Sequence, residues 1–366
     1  MASYRDIIYG IVIIFCAGLL SFVCTPVVRV LAYKLGAVDV PKDNRRMHKE
    51  PIPRMGGLAI FLGFVITALI FCDINKQLLG ILLGAAVIVV LGIFDDIHAL
   101  PALPKFFVQI IAACIPALMG VTIEHISLFG GEYITFGDWS IPVTVLWIVA
   151  VTNAVNLIDG LDGLACGVST ISAFSILVFT LLSPVVDFNV AIITAVLAGA
   201  CLGFLPFNVN PAKIFMGDTG ALFLGFLLAN ISVMGFFKTN AVISFAAPFL
   251  ILGLPLIDTM SAIVRRLLKG QSPFHPDRGH LHHKLIDIGF SQKQSVTILY
   301  ALSALMGIAG IICTAEKLIG AVVLVLIVIV LSVLNWRIFL GNEETREHTG
   351  LNMHERIEEK KEEENK

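Results

Sequence analysis

The feature of this sequence that most constrains its fold is a series of long apolar runs. A helix needs about 17–25 mostly apolar residues to cross the hydrocarbon layer of a bilayer, which is about 30 Å thick. Only 14% of the 366 residues are charged, whereas about 25% is usual for a soluble domain. We therefore predict an all-α integral membrane protein with about eleven transmembrane helices over residues 1–340, followed by a charged tail at 341–366. The eleven runs that contain no Asp, Glu, Lys or Arg are Ile7–Val28, Met55–Cys72, Leu78–Phe94, Phe106–Ile123, Ser140–Ile158, Gly163–Val186, Phe188–Phe207, Gly220–Phe237, Thr239–Ile257, Ser295–Ala315 and Leu318–Trp336.

The basic residues predict the orientation of these helices, because loops that stay in the cytoplasm are enriched in Lys and Arg. With the N-terminus outside, only Arg5, Lys76, Lys238 and Lys317 are external, which leaves 21 of the 25 basic residues on the cytoplasmic side. We therefore expect an external N-terminus and a cytoplasmic C-terminus. The longest external loop, Glu124–Trp139, alternates apolar and polar residues around a Gly-Gly pair, which favours a small β-hairpin at the outer surface.

Polar residues that are unusual for a membrane protein collect in the five loops predicted to face the cytoplasm. Asp95 and Asp96 directly follow an apolar run, where a carboxylate at bilayer depth costs about 2.5–3.5 kcal/mol unless it meets water or a partner. Either the helix end surfaces into water, or the pair lines a polar cleft that binds a cation or a reacting proton.

A second group of acids and amides is typical of a site for a hard metal ion. The segment NLIDGLDG runs from Asn156 and contains Asp159 and Asp162, and Asp218 lies in FMGDTG at the start of another apolar run. Asp218 either caps that helix through its carboxylate or binds a metal. Mg²⁺ prefers oxygen donors and typically takes one or two carboxylates together with substrate phosphates, and Mn²⁺ is the alternative ion. Such donors are offered by Asp95, Asp96, Asn156, Asp159 and Asp218.

The fifth cytoplasmic loop is rich in basic residues, among them Arg278, His280, His282 and His283. The spacing of His280 and His282 fits an extended segment or a turn better than one face of a helix. The cluster is suited either to zinc or, because arginines surround it, to a polyanion such as a diphosphate. In the first loop, Arg54 and its basic neighbours either grip a phosphate or enforce the topology. The net charge of −2 gives no basic excess that would suggest nucleic acid as a partner.

Five of these segments, in their order along the chain, resemble the motifs of the polyprenyl-phosphate N-acetylhexosamine-1-phosphate transferases (glycosyltransferase family 4). The last segment is more similar to the branch that uses UDP-GlcNAc than to phospho-MurNAc-pentapeptide translocase, because Leu281 interrupts what is typically a run of three histidines there. The matching segments are PRMGG (Pro53–Gly57), the pair Asp95 and Asp96, NAVNLIDGLDGL (Asn153–Leu164), GDTG (Gly217–Gly220) and HLHH (His280–His283).

The resemblance implies transfer of GlcNAc-1-phosphate from UDP-GlcNAc to undecaprenyl phosphate, with release of UMP, at the cytoplasmic face of a bacterial cell membrane. This would be the first membrane step in making wall teichoic acid, O-antigen or a related surface glycan. It implies that Asp218 binds Mg²⁺, that Asn156 and Asp159 line the same site, and that Asp95 and Asp96 position or deprotonate the lipid phosphate. It also implies contacts with the nucleotide from Asp162, Asn208 and Lys105, and contacts with the sugar diphosphate from Arg278, His280, His282 and His283.

Two alternatives stay open from the sequence. One is the sister branch, which carries out the same type of reaction with a different sugar donor. The other is a secondary transporter, since transporter sites also use interrupted helices, although these lie near the bilayer midplane rather than at cytoplasmic helix ends. The sequence also leaves open whether the chain forms a homo-oligomer.

Overall fold

The computed structural model describes residues 4–40, 50–127, 133–183, 187–236, 246–272 and 279–315, and within them the chain is almost entirely helical. The helices are α1 (Tyr4–Leu35), α2 (Gly57–Phe71), α3 (Lys76–His98), α4 (Ala102–Leu118), α5 (Ser140–Leu157), α6 (Leu164–Leu182), α7 (Phe188–Asn208), α8 (Gly217–Phe236), α9 (Ala246–Ile251), α10 (Gly253–Leu268), α11 (Leu281–Asp287) and α12 (Gln292–Ala315). Among the described residues, seven helices are long and apolar enough to cross a membrane by length and composition, as the predicted class requires. They are α1, α3, α5, α6, α7, α8 and α12.

The predicted span Thr239–Ile257 is interrupted by one residue within its described part, residues 246–257. Helix α9 ends at Ile251 and α10 begins at Gly253. Pro255 has no N–H to donate to the carbonyl of Ile251, so the helical hydrogen-bond ladder is interrupted at this point. The last predicted span and the tail at 341–366 lie outside the described residues. The count of eleven and the orientation therefore stay predictions.

Two short antiparallel strand pairs join the helices. In the predicted outer hairpin, His125–Ser127 pairs with Tyr133–Thr135, and the turn between them lies outside the described residues. The other pair, Val38–Asp39 (β1) with Ile52–Pro53 (β2), was not predicted. Directly after β2, Arg54 forms a parallel bridge with Phe215, which ties the first loop to the segment between α7 and α8.

Helix α8 is the centre of the fold, because nearly all of its apolar stretch is buried inside the protein. It packs against α3 and α5 on either side and against α2 at its beginning. At that beginning Gly57 of α2 lies so close to Gly220 that a Cβ on Gly57 would clash with the backbone of Gly220. Two glycines thus allow the PRMGG and GDTG segments to meet backbone to backbone.

Candidate active site

A polar cavity of about 370 Å³ lies where α8 begins, beside the ends of α5 and α7. Six residues predicted for the site line it, and four further polar residues complete the lining. Five of the ten are carboxylates, whereas the only Lys or Arg among them is Arg54. The cavity is therefore suited to a cation or to a cation-bound anion. The polar lining consists of Asp39, Arg54, Asn156, Asp159, Asp162, Asn208, Asp218, His283, Asp287 and Gln292.

Asp96 lies next to the cavity and caps helix α8. Its side chain is fully buried, and its Oδ1 accepts a hydrogen bond from the backbone N–H of Asp218 over 2.9 Å. Its Oδ2 accepts bonds from the backbone N–H of Thr219 over 3.1 Å and from Oγ1 of Thr219 over 2.6 Å. A carboxylate at this place satisfies free N–H groups of the helix and complements the positive end of its dipole. The capping role considered for Asp218 thus belongs to Asp96.

Because Asp96 performs the capping, the carboxylate of Asp218 faces the cavity. The side-chain amide of Asn156 donates to its Oδ1 over 2.6 Å, and Arg54 approaches its Oδ2 at 3.4 Å. Gly217 precedes it with a φ of +72°, a conformation that favours glycine. A Cβ at Gly217 would also press against the carboxylate of Asp96. The glycine of GDTG is therefore needed to bring the two acids together.

Asp95 and Lys105 form an ion pair beside the cavity rather than in its lining. Oδ2 of Asp95 lies 2.6 Å from Nζ of Lys105, and Oδ1 accepts a bond from the backbone N–H of Leu100 over 2.7 Å. Asp95 also interacts directly with Asp218. The predicted contact of Lys105 with the nucleotide stays a prediction, since the structure shows its ammonium group engaged with Asp95.

Asp159, Asp162 and Asn208 line the cavity in three different environments. Enclosure by the protein, and then the negative charges of Asp218 and Asp96, raise the pKa of Asp159 to about 8. Asp162 accepts bonds from the side chain of Asn210 and from the backbone of Ala212, and so also fixes the loop after α7. Asn208 donates to the carbonyl of Ile214, but its own Oδ1 is buried and has no hydrogen-bond partner among the described residues.

The histidine segment starts a helix, so the prediction of an extended segment or turn is wrong for His282 and correct for His280. His280 is the N-cap, with extended backbone angles, and α11 begins at the next residue. The spacing of two was misleading because the helix starts between the two histidines. His283 lines the cavity, whereas His282 packs against Gly160, which has no Cβ to exclude it. Burial, and then the neighbouring His283, lowers the pKa of His282 to about 3. Arg278 lies outside the described residues.

Asp258 is the principal residue that the sequence analysis did not assign. It is buried in α10 and accepts a hydrogen bond from the backbone N–H of Leu281 over 2.9 Å. Its other oxygen lies 2.9 Å from Nδ1 of His280. Asp258 therefore caps α11 and holds the histidine segment against α10. A carboxylate directly after an apolar run was the signal that singled out Asp95, and it was equally present at Asp258.

The donor set of the cavity fits a hard divalent cation that keeps water or substrate ligands. Among the described residues no three His, Cys, Asp or Glu side chains stand close enough to hold a metal by themselves. Mg²⁺, however, is usually bound through only one or two carboxylates, with substrate phosphates completing its ligands. The carboxylate of Asp218 and the unpaired Oδ1 of Asn208 are oxygen donors of the required kind.

Comparison with known proteins shows the family to which the chain belongs. The profile of glycosyl transferase family 4 matches residues 78–236, which include Asp95, Asp96, NLIDGLDG and GDTG. The chain is 40% identical over 325 residues to the probable undecaprenyl-phosphate N-acetylglucosaminyl 1-phosphate transferase of Bacillus subtilis, covering 87% of this chain and 89% of that protein.

Two further relatives extend the comparison. The decaprenyl-phosphate N-acetylglucosaminephosphotransferase of Mycobacterium tuberculosis is 40% identical over 313 residues, covering 78% of this chain and 77% of that one. The phospho-N-acetylmuramoyl-pentapeptide-transferase of Staphylococcus aureus is 32% identical over 318 residues, covering 81% of this chain and 96% of that one. The identity is higher to the two N-acetylglucosaminyl phosphate transferases than to the pentapeptide transferase. This difference agrees with the branch that the histidine segment favours. The chain is thus a transferase of glycosyl transferase family 4, in the group of polyprenyl-phosphate N-acetylhexosamine-1-phosphate transferases.

Proposed function

We propose that this protein transfers GlcNAc-1-phosphate from UDP-GlcNAc to undecaprenyl phosphate, giving undecaprenyl-diphosphate-GlcNAc and UMP. The observation that carries the proposal is the acid-lined cavity at the start of α8, with the carboxylate of Asp218 aimed into it. The 40% identity to proteins named for this type of reaction supports the choice of sugar and lipid. The product would start a wall teichoic acid, an O-antigen or a related surface glycan.

In the reaction, an oxygen of the lipid phosphate attacks the β-phosphorus of UDP-GlcNAc. The bond between the β-phosphorus and the oxygen that bridges it to the α-phosphorus breaks, and UMP leaves with that bridging oxygen. Both reactants are anions, so they repel each other unless positive charge lies between them. A bound Mg²⁺ would supply that charge and stabilise the transferring group.

The residues of the chain position the reactants around this charge. Asp218 is the first candidate ligand for Mg²⁺, held in place by Asn156, with Asp159 on the same wall of the cavity. Asp96 acts beneath them by fixing the start of α8. Asp95, paired with Lys105, is the candidate for taking a proton from the lipid phosphate. His283 and Asp162 are the candidates for contact with the donor, and Arg278 is retained from its motif.

The site is proposed to face the cytoplasm, where UDP-sugars are found, in a protein that crosses the bacterial cell membrane several times. The distribution of Lys and Arg supports this orientation. A transporter is no longer needed to explain the polar residues, because the family accounts for them.

The test is a direct choice between donors. The purified protein in lipid nanodiscs would be given undecaprenyl phosphate, Mg²⁺ and either UDP-GlcNAc or UDP-MurNAc-pentapeptide, and UMP release would be measured. We expect UMP from UDP-GlcNAc alone, inactivation by EDTA, and restoration by Mg²⁺ or Mn²⁺. An Asp218→Asn preparation controls for contaminating enzymes. Turnover with UDP-MurNAc-pentapeptide alone would contradict the proposal and assign the chain to the sister branch.

A further inference from the structure

Arg54 is shared between two acids of the site. Its Nε donates to Oδ1 of Asp96 over 3.1 Å, and one of its terminal nitrogens lies 3.4 Å from Oδ2 of Asp218. The side chain of Asp96 is fully buried, whereas that of Asp218 is 22% exposed. The first contact is therefore the shorter and the better protected from water, and the second is the longer and faces the cavity.

The backbone around Arg54 fixes the base of its side chain. The N–H of Arg54 donates to the carbonyl of Ala37, and the N–H of Phe215 donates to the carbonyl of Pro53. Gly56 in turn donates to the carbonyl of Phe215 over 2.9 Å. These bonds connect the PRMGG segment to the segment that leads into α8. The guanidinium group is thus held beside the GDTG turn, and only its outer end is able to change partners without moving the backbone.

The acids around Arg54 give this part of the site a negative charge that a cation offsets. Burial alone would lower the pKa of Arg54, but the negative charges of Asp96, Asp218 and Asp39 raise it above its usual value. Arg54 also offsets the charges around Asp159. Among the described residues that line the cavity, Arg54 is the Lys or Arg side chain that these acids share, and Lys105 beside the cavity also acts on Asp218.

We propose that Arg54 and a divalent cation compete for Oδ2 of Asp218, so that Arg54 gives up this oxygen, while keeping its bond to Asp96, when the cation binds. This inference rests on the proposed function, since it takes Asp218 as the metal ligand. Arg54 is then a positioning residue with two tasks: its Nε secures Asp96, and its outer nitrogen competes for Asp218. Competition for one carboxylate lowers the apparent affinity for the divalent cation by mass action.

The first experiment measures binding of Mn²⁺ by electron paramagnetic resonance, with the full-length protein in nanodiscs and without nucleotide. Arg54→Gln removes the charge but keeps a hydrogen-bond donor for Asp96, so we expect the dissociation constant for Mn²⁺ to fall about three- to tenfold. Arg54→Lys keeps the charge and should remain within about twofold of wild type. Lys269→Gln removes the charge of an exposed residue at the end of α10, outside the cavity, and controls for the change in net charge.

The second experiment compares the wild-type protein with and without Mn²⁺, so its main result does not depend on whether the Arg54 variants fold. Phenylglyoxal reacts with free guanidinium groups, and the modified peptide is measured by mass spectrometry. We expect Mn²⁺ to increase the modification rate of Arg54 severalfold and to have no such effect in Asp218→Asn. An unchanged or slower rate would overturn the inference.

The outcomes separate the inference from the proposed function. Tight Mn²⁺ binding by wild type, together with unchanged or weaker binding by Arg54→Gln, would overturn the role of Arg54 and leave the metal site standing. If the wild type binds no Mn²⁺, both the metal assignment and the inference fail.

Discussion

The side-chain amide of Asn156 donates a hydrogen bond to Oδ1 of Asp218 over 2.6 Å, joining two residues that are 62 positions apart. One lies in the last turn of α5 and the other in the first turn of α8, two helices that pack along each other. This bond orients the carboxylate of Asp218, and Asp96 fixes the backbone of Asp218 by accepting a hydrogen bond from its N–H. The position of Asp218 is therefore set by two other segments of the chain, the end of α5 and the end of α3.

We expect Asp218→Asn to lower turnover at least about 100-fold while leaving the protein folded in the membrane. The substitution keeps the size of the side chain but removes the charge that would hold Mg²⁺. UMP release at saturating UDP-GlcNAc is the measurement. Asp187→Asn is the matched control, because Asp187 caps α7 away from the cavity. Near-normal turnover of Asp218→Asn at high Mg²⁺ would contradict the assignment.

Asp258→Asn should weaken the attachment of α11. The substitution removes the negative charge and replaces one acceptor oxygen with an amide nitrogen, so the contacts with His280 and with the N–H of Leu281 weaken, at a cost of about 1–3 kcal/mol in the free energy of unfolding. We expect a several-fold rise in the KM for UDP-GlcNAc and little change in the KM for the lipid phosphate. Equal effects on both constants, or none, would argue against a link between α11 and the donor. Asp138→Asn, at an exposed position, is the control.

His282 should make the protein sensitive to acid. The pKa of His282 is about 3 in the folded protein, whereas an unperturbed histidine, as in the unfolded chain, has a pKa of 6.5. Between these two pH values the unfolded chain therefore binds more protons than the folded protein. The stability that neutral His282 contributes is complete above pH 6.5 and decreases as the pH falls through this window, by up to about 2 kcal/mol at pH 5.

We therefore expect the melting temperature of His282→Gln to fall less between pH 7 and pH 5 than that of the unmodified protein. His98→Gln, which changes an exposed histidine, should keep the full fall. If His282→Gln and the unmodified protein lose stability in parallel, the buried neutral state of His282 is not the cause.

The sequence predicted the class of fold because apolar runs of membrane-spanning length have few alternatives. It also predicted most of the cavity, since acids beside apolar runs are costly unless they serve a site. It could not show that Asp96 caps α8, because the end of α3 and the start of α8 meet through packing in the fold, where Gly92 lies against the backbone of Thr219 and Gly217 lies against the carboxylate of Asp96. The pairing of Arg54 with Asp96 and Asp218 depends on the same packing, so sequence alone left its role undecided.

The orientation of the helices needs its own test, because a site that faced outward would not meet a UDP-sugar. In a variant without native cysteines, Glu124→Cys should react with an impermeant thiol reagent on intact cells. Ser272→Cys, after α10, should react only when the membrane is opened. Both positions are exposed in the structure. The reverse pattern of labelling would place the cavity on the outer face and contradict the proposed reaction.

The central claim is that the chain transfers a sugar together with its phosphate, and this is tested most directly by following each phosphorus of the donor. The purified protein would receive undecaprenyl phosphate and UDP-GlcNAc labelled with ³²P at either the α or the β position. We predict that β-label moves into the lipid fraction and that α-label appears in UMP, in equal amounts. Release of UDP carrying both labels, with an unlabelled glycolipid formed, would show transfer of the sugar alone and contradict the account.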